Sequence, residues 1–290
     1  MILDAILMKK IIIFSLLVVF STSLGMERDL LKDITYAQII DKNERSYNED
    51  ETTCYCHENK GHFFAVYDGH NGGGVSDILK NECHIKFFEV LNKDNISAEQ
   101  AFEKTFLTMD HYVRHVRKYT KSGTTAVIVY IDENNYLHIA HAGDSRCVVS
   151  IGDRCGFYAT QDHKPNREDE KERIINNGGS VNFYDKAWRV NYGLAISRTI
   201  GDNNKRDGDK EKQIISTPEY KCLKIDSTMN FIILASDGLW DEITNEFAVD
   251  FVKQGLKDGK VLDTIAKELT AEAIKKGSTD NISVVIVKFV

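Results

Sequence analysis

The sequence predicts an α+β protein, a four-layer α-β-β-α sandwich of two antiparallel sheets flanked by helix pairs. Apolar, β-prone segments are joined by short polar turns, which is typical of antiparallel neighbours. The helical segments come in two separated pairs instead of alternating with single strands. No repeat and no Pro/Gly/Ser-rich linker divides the chain after its first residues, and it contains only 2 Pro among 290 residues. We therefore expect one domain.

The strand candidates occur mainly as hairpins. Each hairpin has a polar turn between two runs of β-formers, as in His57–Gly61 and Asp132–Asn135. The paired segments are Thr52–Cys56 with Phe63–Tyr67, Thr124–Ile131 with Tyr136–Ala142, and Arg146–Ile151 with Gly156–Thr160. Further strands are expected at Phe231–Ala235 and Ile282–Phe289.

The helices are expected at Val75–Leu91 and Ala98–Lys118, and then at Glu246–Gln254 and Val261–Lys275. The second segment carries one apolar stripe at helical spacing. Ser97 and Gln100 have the spacing of a capping box at its start.

Composition excludes two classes of protein. The 37 Lys+Arg stand against 44 Asp+Glu, giving a net charge of −7, and no basic stripe with interleaved aromatics indicates nucleic-acid binding. Aromatic residues make up 10% of the chain and apolar runs recur throughout, which excludes a disordered chain. An acidic protein can, however, concentrate its carboxylates to hold cations.

The N-terminus has the pattern of a secretory leader. Lys9 and Lys10 precede the apolar run Ile11–Phe20, which small residues follow. This run is shorter than the roughly 20 residues that span a bilayer. We expect residues 1–25 to be a signal peptide or hydrophobic leader, which places the protein in the secretory pathway or at a membrane. The alternative is initiation at Met26, which would give a cytoplasmic or nuclear protein. The glycosylation sequon at Asn281 favours this alternative, because Asn281 is one of the candidate site residues and a glycan there would be disabling.

Carboxylates stand directly at the ends of the apolar strands. Asp68, Asp144 and Asp237 follow three strand candidates, whereas Asp280 and the pair Glu49-Asp50 precede two others. Carboxylates brought to one sheet edge repel each other unless a cation neutralises them. Oxygen ligands select a hard cation such as Mg²⁺ or Mn²⁺. A single Asp-Gly is most simply a turn, but acids at five strand ends indicate a metal site.

These motifs resemble those of the metal-dependent serine/threonine protein phosphatases of the 2C class, from about Tyr36 to Val290. They occur in the family's order: Arg45–Asp50, Val66–His70, Ser122–Ala126, Ala142–Arg146, Asp162–Pro165, Gly193–Arg198 with Gly201-Asp202, Ser236–Asp241, and Asp280-Asn281. The resemblance implies that residues 26–290 form a single phosphatase catalytic domain with the sandwich fold. It also implies a monomer without a transmembrane span in that domain, acting on phosphorylated proteins.

The resemblance also implies a role for each site residue. Two tightly bound Mg²⁺ or Mn²⁺ ions would be bridged by Asp68. The Gly69 carbonyl and three acids, namely Glu49, Asp237 and Asp280, would complete the coordination of these ions. A hydroxide bridging the two ions would attack phosphoserine or phosphothreonine. Arg45 would grip the phosphate and His70 would protonate the leaving alkoxide. Asp50 and Asn281 would stand beside these ligands.

A third, weaker metal site is expected from Asp144, Asp237 and Asp241, because Asp241 lies four residues beyond Asp237 across a short turn. The alternative is that Asp144 only anchors Arg146 or a turn.

Two other functions fit the sequence less well. None of the 6 Cys has the Cys-x5-Arg spacing of tyrosine phosphatases. A catalytically weak or dead family member acting as a binding scaffold remains the alternative, although such proteins usually lose metal ligands and every such position here carries an acid. The segment Ile174–Asn191 matches the family's flap beside the catalytic groove, and Asp202–Gln213 is expected to be a solvated loop.

Overall fold

Two five-stranded antiparallel sheets form the centre of the protein. The computed structural model describes residues 34–57, 60–94, 96–117, 121–152, 156–206 and 212–289, so the expectation for residues 1–25 falls outside the described residues. The first sheet has the order β1 (Thr35–Asp41), β15 (Ile282–Lys288), β14 (Met229–Ala235), β8 (Arg146–Ile151) and β9 (Gly156–Ala159). The second has the order β13 (Glu219–Lys224), β7 (Tyr136–Ala142), β6 (Ala126–Ile131), β3 (Gly61–Tyr67) and β2 (Glu51–His57).

The inner faces of the two sheets pack against each other. Phe64 and Val66 of β3 lie in this layer with Leu234 of β14 and Val285 of β15, all without exposed surface. Because side chains alternate along a strand, Phe63 and Tyr67 point to the opposite face, where helices cover them. Burial on both faces explains the unbroken apolar run Phe63–Tyr67 in β3. Each buried Phe contributes about 1.5–3 kcal/mol to folding.

Two helix pairs cover the outer faces. The first is α1 (Gly74–Asp94) and α2 (Ala98–His111), which continues as a π-helical turn, Tyr112–Val116. The capping box of Ser97 and Gln100 at the start of α2 is confirmed. After α3 (Glu168–Asn176) and α4 (Asp237–Trp240), the second pair is α5 (Asn245–Lys257) and α6 (Leu262–Lys276). The predicted four-layer α-β-β-α fold is therefore confirmed.

The described residues also form two small sheets. β4 (Gly69–His70), β5 (Gly123–Thr124) and β12 (Ile200–Gly201) form a three-stranded sheet at the end of the sandwich. β10 (Val181–Tyr184) and β11 (Ala187–Val190) form a separate hairpin. Within the described ranges, no helix combines the length and the apolar character needed to cross a bilayer.

Candidate active site

The strand-end acids converge on one cleft of about 520 Å³. Asp68, Asp144 and Asp237 reach it from the ends of β3, β7 and β14, whereas Glu49 and Asp280 lie just before β2 and β15. Arg45, Gly69 and His70 line the same cleft. Three other predicted site residues, Asp50, Asp241 and Asn281, stand outside its lining.

The most closely grouped acids are Asp68, Asp144 and Asp237. Each offers one carboxylate oxygen, and these three oxygens lie within 4.8 Å of one another. Burial raises the pKa of Asp68 and Asp237 well above the ordinary value, and the neighbouring carboxylates raise both pKa values further. Burial also raises the pKa of Asp50 to about 6, although Ser236 donates a hydrogen bond of 2.7 Å to its carboxylate. Such a group of oxygen donors, held together against mutual repulsion, fits Mg²⁺ or Mn²⁺.

Glu49 and Gly69 are held close together at the cleft. A Cβ at position 69 would lie 2.4 Å from the carbonyl oxygen of Glu49 and 2.6 Å from Oγ of Ser76, so only glycine permits this approach. The Glu49 N–H donates to Oδ1 of Asn281 at 2.9 Å. The Asn281 amide also donates to the Lys42 carbonyl, so Asn281 positions the backbone of Glu49. Because Asn281 is only 5% exposed, it is shielded from glycosylation in the folded domain.

Arg45 lies at the rim of the cleft. Its Nη2 donates to Oδ2 of Asp280 at 2.6 Å, and both side chains are about half exposed. The ion pair directs the guanidinium towards the acid cluster and leaves its remaining N–H groups available to an anion in the cleft.

Asp144 is paired with Lys164, whose Nζ donates to its Oδ2. Arg146 does not use Asp144: it forms two hydrogen bonds to Asp162, at 2.9 and 2.7 Å, and its guanidinium lies over the Trp240 ring. The alternative that Asp144 anchors Arg146 is therefore wrong. Burial raises the pKa of Asp241, and the charge of Asp144 raises it further against the opposite effect of Lys164.

His70 is held by Asp202, a residue without a predicted role. Its Nε2 lies 2.6 Å from Oδ2 of Asp202, which also accepts a hydrogen bond from Thr199. Burial lowers the pKa of His70, but the bond to Asp202 and its charge outweigh that effect and raise the pKa. A Cβ at Gly123 would lie 2.0 Å from this carboxylate oxygen, so the glycine leaves room for the pair.

The expectation of a solvated loop over Asp202–Gln213 is wrong at both ends. Asp202 has no exposed surface, and Gln213 is buried. Arg206 is also buried and pairs with Asp110 on α2 at 2.6 Å. The density of charge suggested solvation, but ion pairs and hydrogen bonds hold these three side chains inside the domain instead.

Comparison with known proteins gives the family. The family model "PP2C: Protein phosphatase 2C" matches residues 37–282. This chain belongs to the protein phosphatase 2C family. "Probable protein phosphatase 2C 42" of Oryza sativa subsp. japonica is 33% identical over 270 residues, covering 78% of this chain and 75% of the relative. "Probable protein phosphatase 2C 2" of Arabidopsis thaliana is 38% identical over 233 residues, which cover 78% of this chain but only 58% of the relative.

Solved structures agree with the phosphatase 2C fold. "Structure of a C.elegans sex determining protein" superimposes with a TM-score of 0.78 at 27% identity, covering 88% of this chain and 64% of the other. "Crystal structure of serine-threonine phosphatase 2C from Toxoplasma gondii" gives a TM-score of 0.70 at 22% identity, with coverage of 89% and 95%.

This phosphatase 2C domain contains a second group with metal-ligand chemistry, formed by His141, His163 and Glu219. Glu219 is already bound by Arg167 and lies 3.4 Å from Arg198, so its charge is compensated without a metal. Burial lowers the pKa of His141 to about 3 and keeps this histidine neutral. The group joins β7, to which His141 belongs, to the segments around it.

Proposed function

We propose that this protein is a metal-dependent serine/threonine protein phosphatase that acts as a monomer on phosphorylated proteins. The observation that carries the proposal is the close grouping of Asp68, Asp144 and Asp237 in a cleft shared with Arg45 and His70. Family membership supports the same reaction class.

The metal-binding residues are assigned from the family resemblance, and all of them except Asp241 line the cleft. Two Mg²⁺ or Mn²⁺ ions would be held by Glu49, Asp68, the Gly69 carbonyl, Asp237 and Asp280. A third, weaker site would be formed by Asp144, Asp237 and Asp241. When bound, such ions supply a water of lowered pKa as the nucleophile and positive charge for the phosphate oxygens.

Arg45 binds and orients the phosphate. Its guanidinium can donate two parallel hydrogen bonds to phosphate oxygens, which a lysine ammonium cannot reproduce. The bond to Asp280 holds the side chain at the cleft rim. Arg45 therefore acts mainly on substrate binding.

His70 donates a proton to the departing serine or threonine alkoxide. This oxygen is a poor leaving group unless it is protonated as the P–O bond breaks. Asp202 keeps the imidazole in place and favours its protonated form.

The test is release of phosphate from a phosphothreonine peptide by the full chain. We expect turnover with added Mg²⁺ or Mn²⁺, loss of turnover with a chelator, and recovery when the metal is restored. Turnover in chelator by metal-free protein would contradict the proposal. Metal binding without turnover on any phosphopeptide would instead favour the scaffold function.

We also propose that the leader directs the chain into the secretory pathway. Residues 1–30 fused to a reporter should route it there with removal of the leader, whereas a cytosolic reporter with an intact leader would contradict this.

A further inference from the structure

The turn that follows β11 contains a tyrosine in an unusual backbone conformation. Asn191 and Tyr192 have positive φ angles of 50° and 57°, and the Gly193 N–H donates to the Val190 carbonyl at 2.8 Å. Two consecutive left-handed residues closed by such a bond form a type I′ turn, whose central positions favour Gly, Asn and Asp. A bulky residue with positive φ is strained and is an uncommon choice.

The asparagine of this turn has a local reason for its conformation. Oδ1 of Asn191 accepts a hydrogen bond of 2.9 Å from the Ser180 N–H, and its amide donates to Oε1 of Gln213 at 2.7 Å. Tyr192 has no comparable reason, because its side chain is 62% exposed and gains little from burial. A strained residue that the fold does not require is a candidate for a functional role.

Tyr192 lines the cleft that contains the acid cluster and Arg45. Its ring meets that of Tyr184 edge to face, with the centroids 5.9 Å apart, so Tyr184 supports it from the hairpin. The nearby Arg189 donates to the carbonyls of Tyr184 and Gly193, at 3.1 and 2.9 Å, which commits its guanidinium largely to the backbone. This wall of the cleft therefore offers a substrate an exposed aromatic ring, next to the exposed ammonium of Lys205.

We propose that Tyr192, supported by Tyr184, forms a subsite for an apolar side chain near the phosphorylated residue of the substrate. This inference rests on the proposed phosphatase function. An extended peptide advances about 3.3 Å per residue, so a ring in the same cleft is within reach of a side chain about three residues or fewer from the phosphate. Covering the ring with an apolar group removes water from both surfaces.

The experiment uses the full-length, Mg²⁺-loaded enzyme and phosphothreonine peptides with a Gly/Ser background. A single Leu is placed in turn at each of three positions on either side of the phosphothreonine. The measured quantity is the preference, which is kcat/KM for each Leu peptide divided by kcat/KM for the Leu-free peptide. General effects on catalysis cancel in this ratio. We expect the wild-type preference to reach roughly tenfold at one position.

Three variants test the assignment. Tyr192→Asn tolerates the left-handed conformation but lacks the ring, so the preference should fall towards one. Tyr192→Phe retains the ring and should keep the preference. Phe183→Ser is the matched control: it removes an exposed ring from the opposite face of the hairpin and should leave the preference unchanged, since Phe183 pairs with Trp188 and not with Tyr184.

The outcomes separate this inference from the proposed function. A protein that hydrolyses neither a phosphothreonine peptide nor p-nitrophenyl phosphate would contradict the proposed phosphatase function. An active enzyme overturns the Tyr192 subsite if it shows no Leu preference, prefers an acidic residue in place of Leu, or keeps its Leu preference after Tyr192→Asn.

Discussion

Nε2 of His70 lies 2.6 Å from Oδ2 of Asp202, a carboxylate without exposed surface that follows the two-residue strand β12. β12 and β4 both pair with β5, so one small sheet fixes the backbone on each side of this contact. The geometry gives the imidazole a fixed position at the cleft and a partner for its positive charge.

His70→Ala should slow hydrolysis of phosphothreonine peptides by about 10²–10⁴, because the leaving alkoxide loses its proton donor. The loss should be much smaller for p-nitrophenyl phosphate, whose leaving group needs little protonation. Steady-state kinetics on both substrates measure the difference, with exposed His111→Ala as the control. Equal losses on the two substrates would remove His70 from this role.

Asp202→Asn should reproduce the same substrate pattern more weakly, by roughly tenfold on phosphothreonine, because the imidazole keeps a hydrogen-bond partner but loses a charge. If Asp202 acts only through His70, the double variant with His70→Ala should be no slower than His70→Ala alone. Additive losses in this cycle would mean that Asp202 contributes independently.

Asp68→Asn and Arg45→Ala should affect different steps. Asp68→Asn should weaken Mn²⁺ binding and reduce kcat by more than about 100-fold. This loss exceeds the one usually seen when a residue that only hydrogen-bonds to a metal ligand is replaced. Arg45→Ala should raise KM about tenfold with a smaller loss of kcat. Calorimetric titration with Mn²⁺ and peptide kinetics distinguish them, and Arg45→Lys separates charge from bidentate geometry. Equal effects of both variants on KM and kcat would contradict this division.

Asp144→Ala should leave two tightly bound ions in place, lower kcat, and raise the metal concentration required for full activity. The substitution leaves the Lys164 ammonium without its carboxylate. The controls are therefore the single variant Lys164→Met and the double variant that combines Lys164→Met with Asp144→Ala. Metal stoichiometry and a rate titration check both effects. Wild-type turnover across the titration would make Asp144 structural, whereas loss of a tight ion would assign it to the central pair.

The acids that line the cleft could be predicted because each adjoins a strand that the sequence identifies. Asp202 could not be, since β4, β5 and β12 have two residues each and carry no hydrophobic pattern. The strands β1 and β13 were missed for a related reason: they lie at sheet edges and many of their side chains are exposed, so their apolar alternation is weak.

The side-chain contacts within the site could not be predicted from the sequence either. Arg45 with Asp280 joins residues 235 positions apart, and Lys164 with Asp144 joins two loops. Such contacts depend on how the strand ends meet in three dimensions, which a residue pattern does not record.

Glu170 on α3 should make the stability of the domain depend on pH in the acidic range. Burial alone would raise its pKa, but Arg198, Ser197 and Arg173 bind the carboxylate and together lower the pKa from about 4.5 to about 2. A lowered pKa means that the unfolded chain takes up this proton first as pH falls. The contribution of Glu170 is therefore complete above about pH 4.5 and is lost as the pH falls towards 2.

Over this range the loss should amount to about 3 kcal/mol. Glu170→Gln should lower the free energy of unfolding at pH 7, and the difference from wild type should shrink as the pH falls to 3. Urea denaturation at both pH values measures this, with the exposed Glu172→Gln on the same helix as the control. A wild-type-to-variant difference that is the same at pH 7 and pH 3 would show that the ionised carboxylate does not stabilise the fold. The ion pairs with Arg198 and Arg173 would then serve only to orient the segment that leads to Asp202.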